Sequence, residues 1–456
     1  MGRVKGMTSF DRAFAGLAGL TNWERLRPDA PYRFDLSGMR ALLARLGHPE
    51  RRLAQAVQVG GSKGKGTVAH LTAGIAGRLG LRTGLYTSPH VLDVRERIRL
   101  DLAPPPDEIL VPHVDAVAAA LVPGQTWFEA WTAVATLAFA EARPDLCVLE
   151  VGLGGRLDST TALPRRACAL TSIELEHTQV LGDTIEAIAA EKAAVLEAGM
   201  GCVTGFEGAA LAVLERRAAE VGVRPAVLGR DLGWRLVGRE AGGIVVEVRL
   251  GDRTRVLSTR LGFAPQGRAL CLALGLLATL WPERRDELLD LDLDAPWLEA
   301  ALPPGRLQLL SREPPIVVDG AHTEDSLTML ADELPRAFPG RRFHLVLAMA
   351  EGKRWEAGLG RLAAVVDRAW VAPIVGKPSV VPEVLSAFLE ARGVPCEREE
   401  RVGDAFVAAG AEVLRASRRA GGGPALLLCG SLYAAGEALA RRADLGVTVD
   451  PGPVRD

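Results

Sequence analysis

Nine residues, Val59-Gly60-Gly61-Ser62-Lys63-Gly64-Lys65-Gly66-Thr67, gather glycines, two lysines and two hydroxyls just ahead of a helical pattern from Val68 to Leu79. Such a loop can aim several backbone N–H groups into one concavity, and the helix N-terminus adds partial positive charge. Phosphate is the ligand this chemistry suits. Lys65 can reach β- and γ-phosphates, and the Thr67 hydroxyl can ligate Mg²⁺. The strict Walker A spacing is broken, because three residues rather than four separate Gly60 from Gly64 and Gly66 stands between Lys65 and Thr67. A Gly-rich loop alone is a weak signal, and an ordinary flexible turn is its alternative.

Further polar groups fall just past predicted strands. The run 83–87 is strand-like and Pro89 must end it, which leaves Ser88 and His90 beyond its tip. The apolar run 145–150 ends in Glu150. A carboxylate there is costly to bury unless it is paired or holds a metal, so Glu150 is either a Mg²⁺ ligand or the partner of Arg156. A strand over 168–173 leads to Glu174, Glu176 and His177. Ligands of open α/β sheets bind beyond the carboxyl ends of strands, so Ser88, Glu150 and His177 are expected along one edge with the loop. Lys192 lies on a helix that Thr184 caps and that is expected to reach Glu197. The charged run Arg95–Arg99 fits a solvated face as well as a substrate-facing one.

The elements that must position these groups define an α/β fold. With 456 residues the chain exceeds one ordinary core, and two domains are expected, 1–299 and 300–456. The first is a P-loop-type domain with a mostly parallel sheet. It opens with helical segments over 10–47 around a Pro-containing connection, where Met39, Leu42, Leu43 and Leu46 form an apolar stripe, and it carries a small antiparallel excursion over 233–262. The segment Pro296 to Gly305 reads as the linker. The second, smaller domain is Rossmann-like, with alternating strands and helices that place Asp319, His322 and Ser431 just past strand ends.

A hydrophobic fraction of 48% and a net charge of −2 describe a soluble globular protein with no bulk attraction to nucleic acid or an anionic membrane. Neither Met1 to Phe10 nor any later run has the apolar length of a signal or a membrane span, so a cytoplasmic protein is expected. Six scattered cysteines without a C-x-x-C pair are expected as buried thiols. The chain prefers Arg to Lys and has one Asn, Asn22. Lysines that survive such a bias, namely Lys63, Lys65, Lys192 and Lys353, gain weight where a compact or deprotonatable ammonium is needed.

In their order and spacing, Gly61–Thr67, Thr87–His90 with Arg95–Arg99, Leu149–Asp158, His177-Thr178, Leu181–Thr184, Glu191-Lys192, Gly305-Arg306, Asp319–His322 and Gly430–Tyr433 resemble the folylpolyglutamate synthase/dihydrofolate synthase family of the Mur ligase superfamily over nearly the whole chain. The resemblance implies an ATP-dependent amide ligase. ATP phosphorylates a pteroate or folate carboxylate, and the amine of L-glutamate attacks the acyl phosphate. It further implies that Gly61, Ser62, Lys63, Gly64, Lys65, Gly66 and Thr67 cradle the phosphates, and that Ser88 and Glu150 hold one Mg²⁺ while His177 helps hold a second. Lys192 matches the family lysine that is carbamylated. Gln266 lies near adenine, Arg306 contacts phosphate, Asp319 the ribose, and His322 and Ser431 the incoming glutamate. Catalysis would then rest on Lys65, Lys192, His177 and Glu150. Small-molecule partners and a monomeric chain are expected.

Several positions depart from the family. Ser62-Lys63 replaces Thr-Asn, Thr161, Ala269 and Thr323 stand where Asn is usual, Glu176 replaces Asp, and Lys-Asp-Lys is reduced to Glu351-Gly352-Lys353. These changes leave two alternatives open: the same ligase chemistry on another carboxylate acceptor, or a nucleotide-binding regulatory module without turnover.

Overall fold

Near-continuous apolar runs bounded by turns favour strands buried on both faces, and such strands assemble in parallel. In the computed structural model, which describes residues 8–17, 19–22, 35–419 and 423–446, seven of them form one sheet. They are β1 (Ala56–Gly60), β2 (Thr83–Tyr86), β3 (Ile98–Leu100), β4 (Leu146–Glu150), β5 (Ala167–Leu170), β6 (Gly201–Thr204) and β7 (Ala226–Val227), in the order β3-β2-β4-β1-β5-β6-β7. All neighbours are parallel except β3, which runs antiparallel to β2. The chain leaves β1 toward one edge of the sheet and leaves β4 toward the other. That reversal opens a crevice beyond the carboxyl ends of these strands. Val59 pairs with Glu150 in register, so the phosphate-type loop after β1 and the carboxylate at the tip of β4 share that crevice.

The helix Lys65–Arg78 starts at Gly64, whose φ of 81° suits glycine, and it is buried from Val68 to Ala76. It packs between the sheet and the helix Ala264–Leu280. A three-stranded antiparallel meander, β8 (Leu232–Glu240), β9 (Gly243–Leu250) and β10 (Arg253–Thr259), follows the pattern expected over 233–262. Its buried residues Val246, Val248 and Leu250 join the same core.

A second sheet contains β11 (Gln308–Arg312), β12 (Pro315–Val318), β13 (Phe343–Leu347), β14 (Val366–Val371), β15 (Cys396–Arg398) and β16 (Ala425–Cys429), ordered β11-β12-β16-β13-β14-β15. Only β11 runs antiparallel to its neighbour. Asp319, His322 and Ser431 follow β12 and β16, adjacent parallel strands, so they share one end of this sheet.

Some boundaries differ from expectation for local reasons. The strand expected over 168–173 stops at Leu170, because Thr171 and Ser172 turn to bond the phosphate-type loop. The helix capped by Thr184 ends at Ala193 rather than Glu197. The linker contains a short helix, Pro296–Ala300. Most of the Pro-containing connection within 10–47 lies outside the described residues, whereas Met39, Leu42 and Leu43 are buried as the stripe requires. The run Arg95–Arg99 is a 3-10 turn, Val94–Arg97, leading into β3. Arg97 within it is buried, its guanidinium 4.5 Å from the Trp127 ring centre, so that part of the run is no solvated face. All six cysteines are free thiols, five of them buried. No helix among the described residues is long and apolar enough to cross a membrane.

Candidate active site

The loop after β1 is fixed from below by the end of β5. Ser62 N–H donates to the Ser172 carbonyl at 2.8 Å, Lys63 N–H to Ser172 Oγ at 3.1 Å, and Glu174 N–H to Ser62 Oγ at 3.0 Å. Gly61 has φ of 132°, and a Cβ there would meet Thr171 Oγ1 at 2.0 Å, so only glycine lets the loop lie this close. Lys65 curls over the loop, with Nζ 3.3 Å from the Ser62 carbonyl. Gly66, the residue that spoils the Walker pattern, faces Glu150. A Cβ on it would stand 3.4 Å from Glu150 Oε1, and glycine leaves that oxygen open toward the loop.

Glu150 is buried and accepts Ser88 N–H at 2.9 Å on Oε2. Burial raises its pKa, while Lys65, the Ser88 N–H, Arg306 and Arg97 oppose the rise. Its alternative partner is engaged elsewhere, since Arg156 pairs with Glu191 at 2.8 Å. A desolvated carboxylate beside a serine and a phosphate-type loop is a donor set that suits Mg²⁺. Ser88, Glu150 and Gly66 line a cavity whose far side is Pro303, Arg306 and Leu432, so both sheets contribute to its walls.

On the other flank of the loop, the buried Lys192 ammonium donates to the Gly61 carbonyl at 2.9 Å and lies 3.7 Å from Glu176. Burial lowers its pKa to about 8, assisted by Lys65 and opposed by Glu176. Burial would raise Glu176, but Lys65, Lys63 and Lys192 outweigh it and hold the carboxyl below its ordinary value. His177 has a left-handed φ of 50° and an exposed side chain. Desolvation by its surroundings lowers it to about 4, with Lys353, Lys65 and Lys192 acting in the same direction against Glu176. Ser88 and Glu150 are thus brought together, while Lys192 and Glu176 form a separate cluster behind the loop. Among the described residues, no three His, Cys, Asp or Glu side chains gather as a metal site by themselves.

The second sheet supplies groups already engaged in local bonds. Asp319 accepts Leu307 N–H at 2.6 Å and Ala321 N–H at 2.7 Å, which ties the segment carrying Arg306 to the end of β12. Burial raises its pKa. His322 is 2.7 Å from the Gly320 carbonyl through Nδ1, and burial lowers it to about 4. Ser431 caps the helix Leu432–Ala440 by accepting Tyr433 N–H at 3.1 Å. Gln266 has a structural assignment: its Oε1 accepts Gly262 and Phe263 N–H, and its Nε2 donates to the Leu307 carbonyl at 3.1 Å. Oε1 already accepts two donors, so a contact to adenine would fall to the second N–H of Nε2.

Three supporting residues carry little signal in the sequence. Asp158 is buried and accepts N–H groups from Gly152, Leu153 and Thr160, which shapes the turn after β4. Thr161, in a position where Asn is usual, donates to the Gly155 carbonyl and accepts from Gln58, so the turn keeps its brace with a shorter side chain. His70 is buried one helical turn after Gly66 and bonds the Gly66 carbonyl at 2.9 Å through Nδ1. Its place four residues along the helix was the available signal.

A family described as "Mur ligase, glutamate ligase domain" matches residues 305–432. Folylpolyglutamate synthase of Lacticaseibacillus casei is 31% identical over 413 residues, covering 86% of this chain and 91% of the relative. The chain belongs to the folylpolyglutamate synthase/dihydrofolate synthase family of ATP-dependent ligases. A probable bifunctional folylpolyglutamate synthase/dihydropteroate synthase of Haloferax volcanii is 36% identical over 414 residues, 88% of this chain, and the chain spans about half of that relative's length, 47%. Among solved structures, E. coli FolC in complex with DHPP and ADP superposes with a TM-score of 0.80 at 25% identity, covering 96% of this chain and 98% of that one. The family's two-part α/β architecture is therefore the fold described above.

Proposed function

We propose that the protein joins L-glutamate to the carboxylate of a dihydropteroate- or folate-type acceptor at the expense of ATP, working as a cytoplasmic monomer on small molecules. The observation that carries this reading is the convergence of the loop lysine, Lys65, with the Glu150–Ser88 pair at one sheet edge, faced by Arg306 from the segment that enters the second sheet. Complexes of a relative with ADP and DHPP agree with it. We place the boundary between the two domains at 299/300.

A carboxylate is a poor acyl donor, and phosphorylation supplies the leaving group. Backbone N–H groups of 61–67 and Lys65 would hold the phosphates, with Thr67 beside them and Arg306 closing from the far wall. Ser88 and Glu150 would hold one Mg²⁺ and His177 would help hold a second, ions that would supply neutralisation of phosphate charge when bound. Lys192, its pKa lowered to about 8 by burial, would accept CO₂ as a carbamate, which only lysine among the cationic side chains can do. Asp319 fixes the segment of Arg306 and would contact the ribose, Gln266 would lie at the adenine side, and His322 and Ser431 would receive the glutamate. Charge neutralisation and alignment are the main demands of both the phosphoryl transfer and the amine attack.

The test is ADP formation by the purified full chain with ATP, Mg²⁺, L-glutamate and either dihydropteroate or tetrahydrofolate. ADP with one of the two acceptors, matched by a product heavier by one glutamyl residue, is the expected result. ATP binding without turnover on either acceptor would count against this reading.

A further inference from the structure

His70 uses one ring nitrogen on its own helix and has a second left over. Nδ1 donates to the Gly66 carbonyl at 2.9 Å, so in the neutral ring Nε2 carries a lone pair and can only accept. The residue is 5% exposed, and among the described residues Nε2 has no hydrogen-bond partner. An unpaired acceptor is destabilising in a buried place. Its helix neighbours Val68, Ala69 and Leu71 are buried and apolar, and an aliphatic side chain at position 70 would avoid that cost. A partner that arrives with a ligand would remove it too.

The surroundings show what could meet Nε2. His70 follows Gly66 by four residues and therefore lies on the same helix face, the one that Gly66 turns toward Glu150. Side chains on a helix lean toward its N-terminus, and Gly66 places no side chain in between. His70 lines the cavity that Ser88, Glu150 and Arg306 also line. Arg99 is a further lining residue, and its Nε is a buried donor that likewise has no partner among the described residues. A buried acceptor and a buried donor in one lining are a pattern that water satisfies, and the cavity volume of about 30 Å³ has room for about two water molecules.

We infer that His70 is a positioning residue for the Mg²⁺ assigned above to Ser88 and Glu150, its Nε2 accepting a hydrogen bond from a water of the ion's hydration shell. The inference rests on that assignment. Mg²⁺ gives up water reluctantly and takes few protein ligands, so its position depends on what its remaining waters can donate to. Water polarised by the ion is a strong donor, and a neutral imidazole nitrogen accepts from it without adding charge beside the phosphates.

Mn²⁺, a paramagnetic substitute for Mg²⁺, tests this in the full chain with ADP present. In His70→Asn the amide N–H takes the place of Nδ1 and can keep the bond to Gly66, while nothing takes the place of Nε2. Free Mn²⁺ measured by electron paramagnetic resonance is expected to show binding weakened about tenfold in this variant, with metal-free ADP affinity changed by less than about twofold. Pulsed resonance on chains carrying ¹⁵N-histidine gives a signature that a mere structural brace would not produce. A weak ¹⁵N coupling, of the size of a nitrogen one water removed from the metal, is expected in the unaltered chain and in His177→Asn, and its loss in His70→Asn. The side chain of His177 is exposed, so the His177→Asn chain carries the test even where His70→Asn does not fold. No weak coupling in His177→Asn would overturn the inference. So would equal losses of Mn²⁺ and metal-free ADP in His70→Asn, which assign His70 to bracing the loop alone. If the unaltered chain with ADP retains no Mn²⁺, the metal assignment at Ser88 and Glu150 fails first. If it retains Mn²⁺ and His70→Asn binds the ion as tightly, this inference fails by itself.

Discussion

The Lys192 ammonium donates a 2.9 Å hydrogen bond to the carbonyl oxygen of Gly61, the first residue of the loop that sequence pattern assigns to phosphate. A lysine on a helix that follows β5 is thereby tied to the residue after β1, and its amine is buried, where desolvation lowers its pKa to about 8. Lys192→Arg preserves the charge but not the capacity to form a carbamate. Turnover is expected to fall by roughly 100-fold or more, the scale of losing a group that organises transition-state charge. ¹³C-bicarbonate NMR is expected to show a carbamate signal in the unaltered chain and none in the variant. Near-normal turnover in the variant would remove Lys192 from the catalytic set.

Glu150→Gln separates chemistry from folding. Burial makes the ionised carboxylate costly in the native state and raises its pKa above the unfolded value. A group shifted in that direction contributes less stability as pH rises through its folded pKa, so at pH 7.5 a neutral amide of the same shape should be tolerated. The expected outcome is an unchanged or higher Tm, with ADP formation reduced roughly 100-fold or more. A clear drop in Tm would mean that Glu150 supports the fold through its charge.

Most of the fold was legible because its elements are strongly patterned. The antiparallel meander β8–β10 fills the excursion expected over 233–262, and β4 coincides with the apolar run that ends in Glu150. The loop at 60–67 and the strand-end residues Ser88 and Glu150 were also readable, because a polar group at the tip of an apolar strand is costly to bury unless a partner or a ligand meets it there. Contacts between distant segments carry no such local signature. Nothing near Gln266 announces that its amide bonds the Leu307 carbonyl, 41 residues away, and nothing near Arg156 marks Glu191 as its partner instead of Glu150. Arg97 lies in a run that fits a solvated face as well as a substrate-facing one, and only the fold shows it packed on Trp127.

Gln266 offers a stability test of that long-range contact. Its amide satisfies two N–H groups at the start of the helix Ala264–Leu280 and one carbonyl of the segment leading to β11. Gln266→Leu retains bulk and leaves those backbone groups without their partner, at a cost of about 2–4 kcal/mol. The midpoint of urea unfolding is expected to move down accordingly. Native stability combined with weakened ADP binding would place the amide at the nucleotide instead.

His70 predicts how stability depends on pH. Its Nδ1 lies 2.9 Å from the Gly66 carbonyl, which in the neutral ring requires the proton on Nδ1, while Nε2 is buried without a hydrogen-bond partner. Burial lowers its pKa from 6.5 to about 3, with Arg99 adding to the shift and the Gly66 carbonyl opposing it. Because the folded value is the lower one, the unfolded chain takes up this proton first as pH falls. Stability from the neutral ring is therefore complete above about 6.5 and is lost progressively toward about 3. At pH 5 the unfolded chain gains roughly 1.5 pKa units of protonation energy, about 2 kcal/mol. His70→Gln can still donate to the Gly66 carbonyl but does not titrate. Urea unfolding at pH 7.5 and pH 5 should show the variant losing about 2 kcal/mol less than the unaltered chain between the two conditions. Equal losses in the two proteins would mean that His70 becomes charged inside the fold, and that the helix after the phosphate loop opens more readily than its burial indicates.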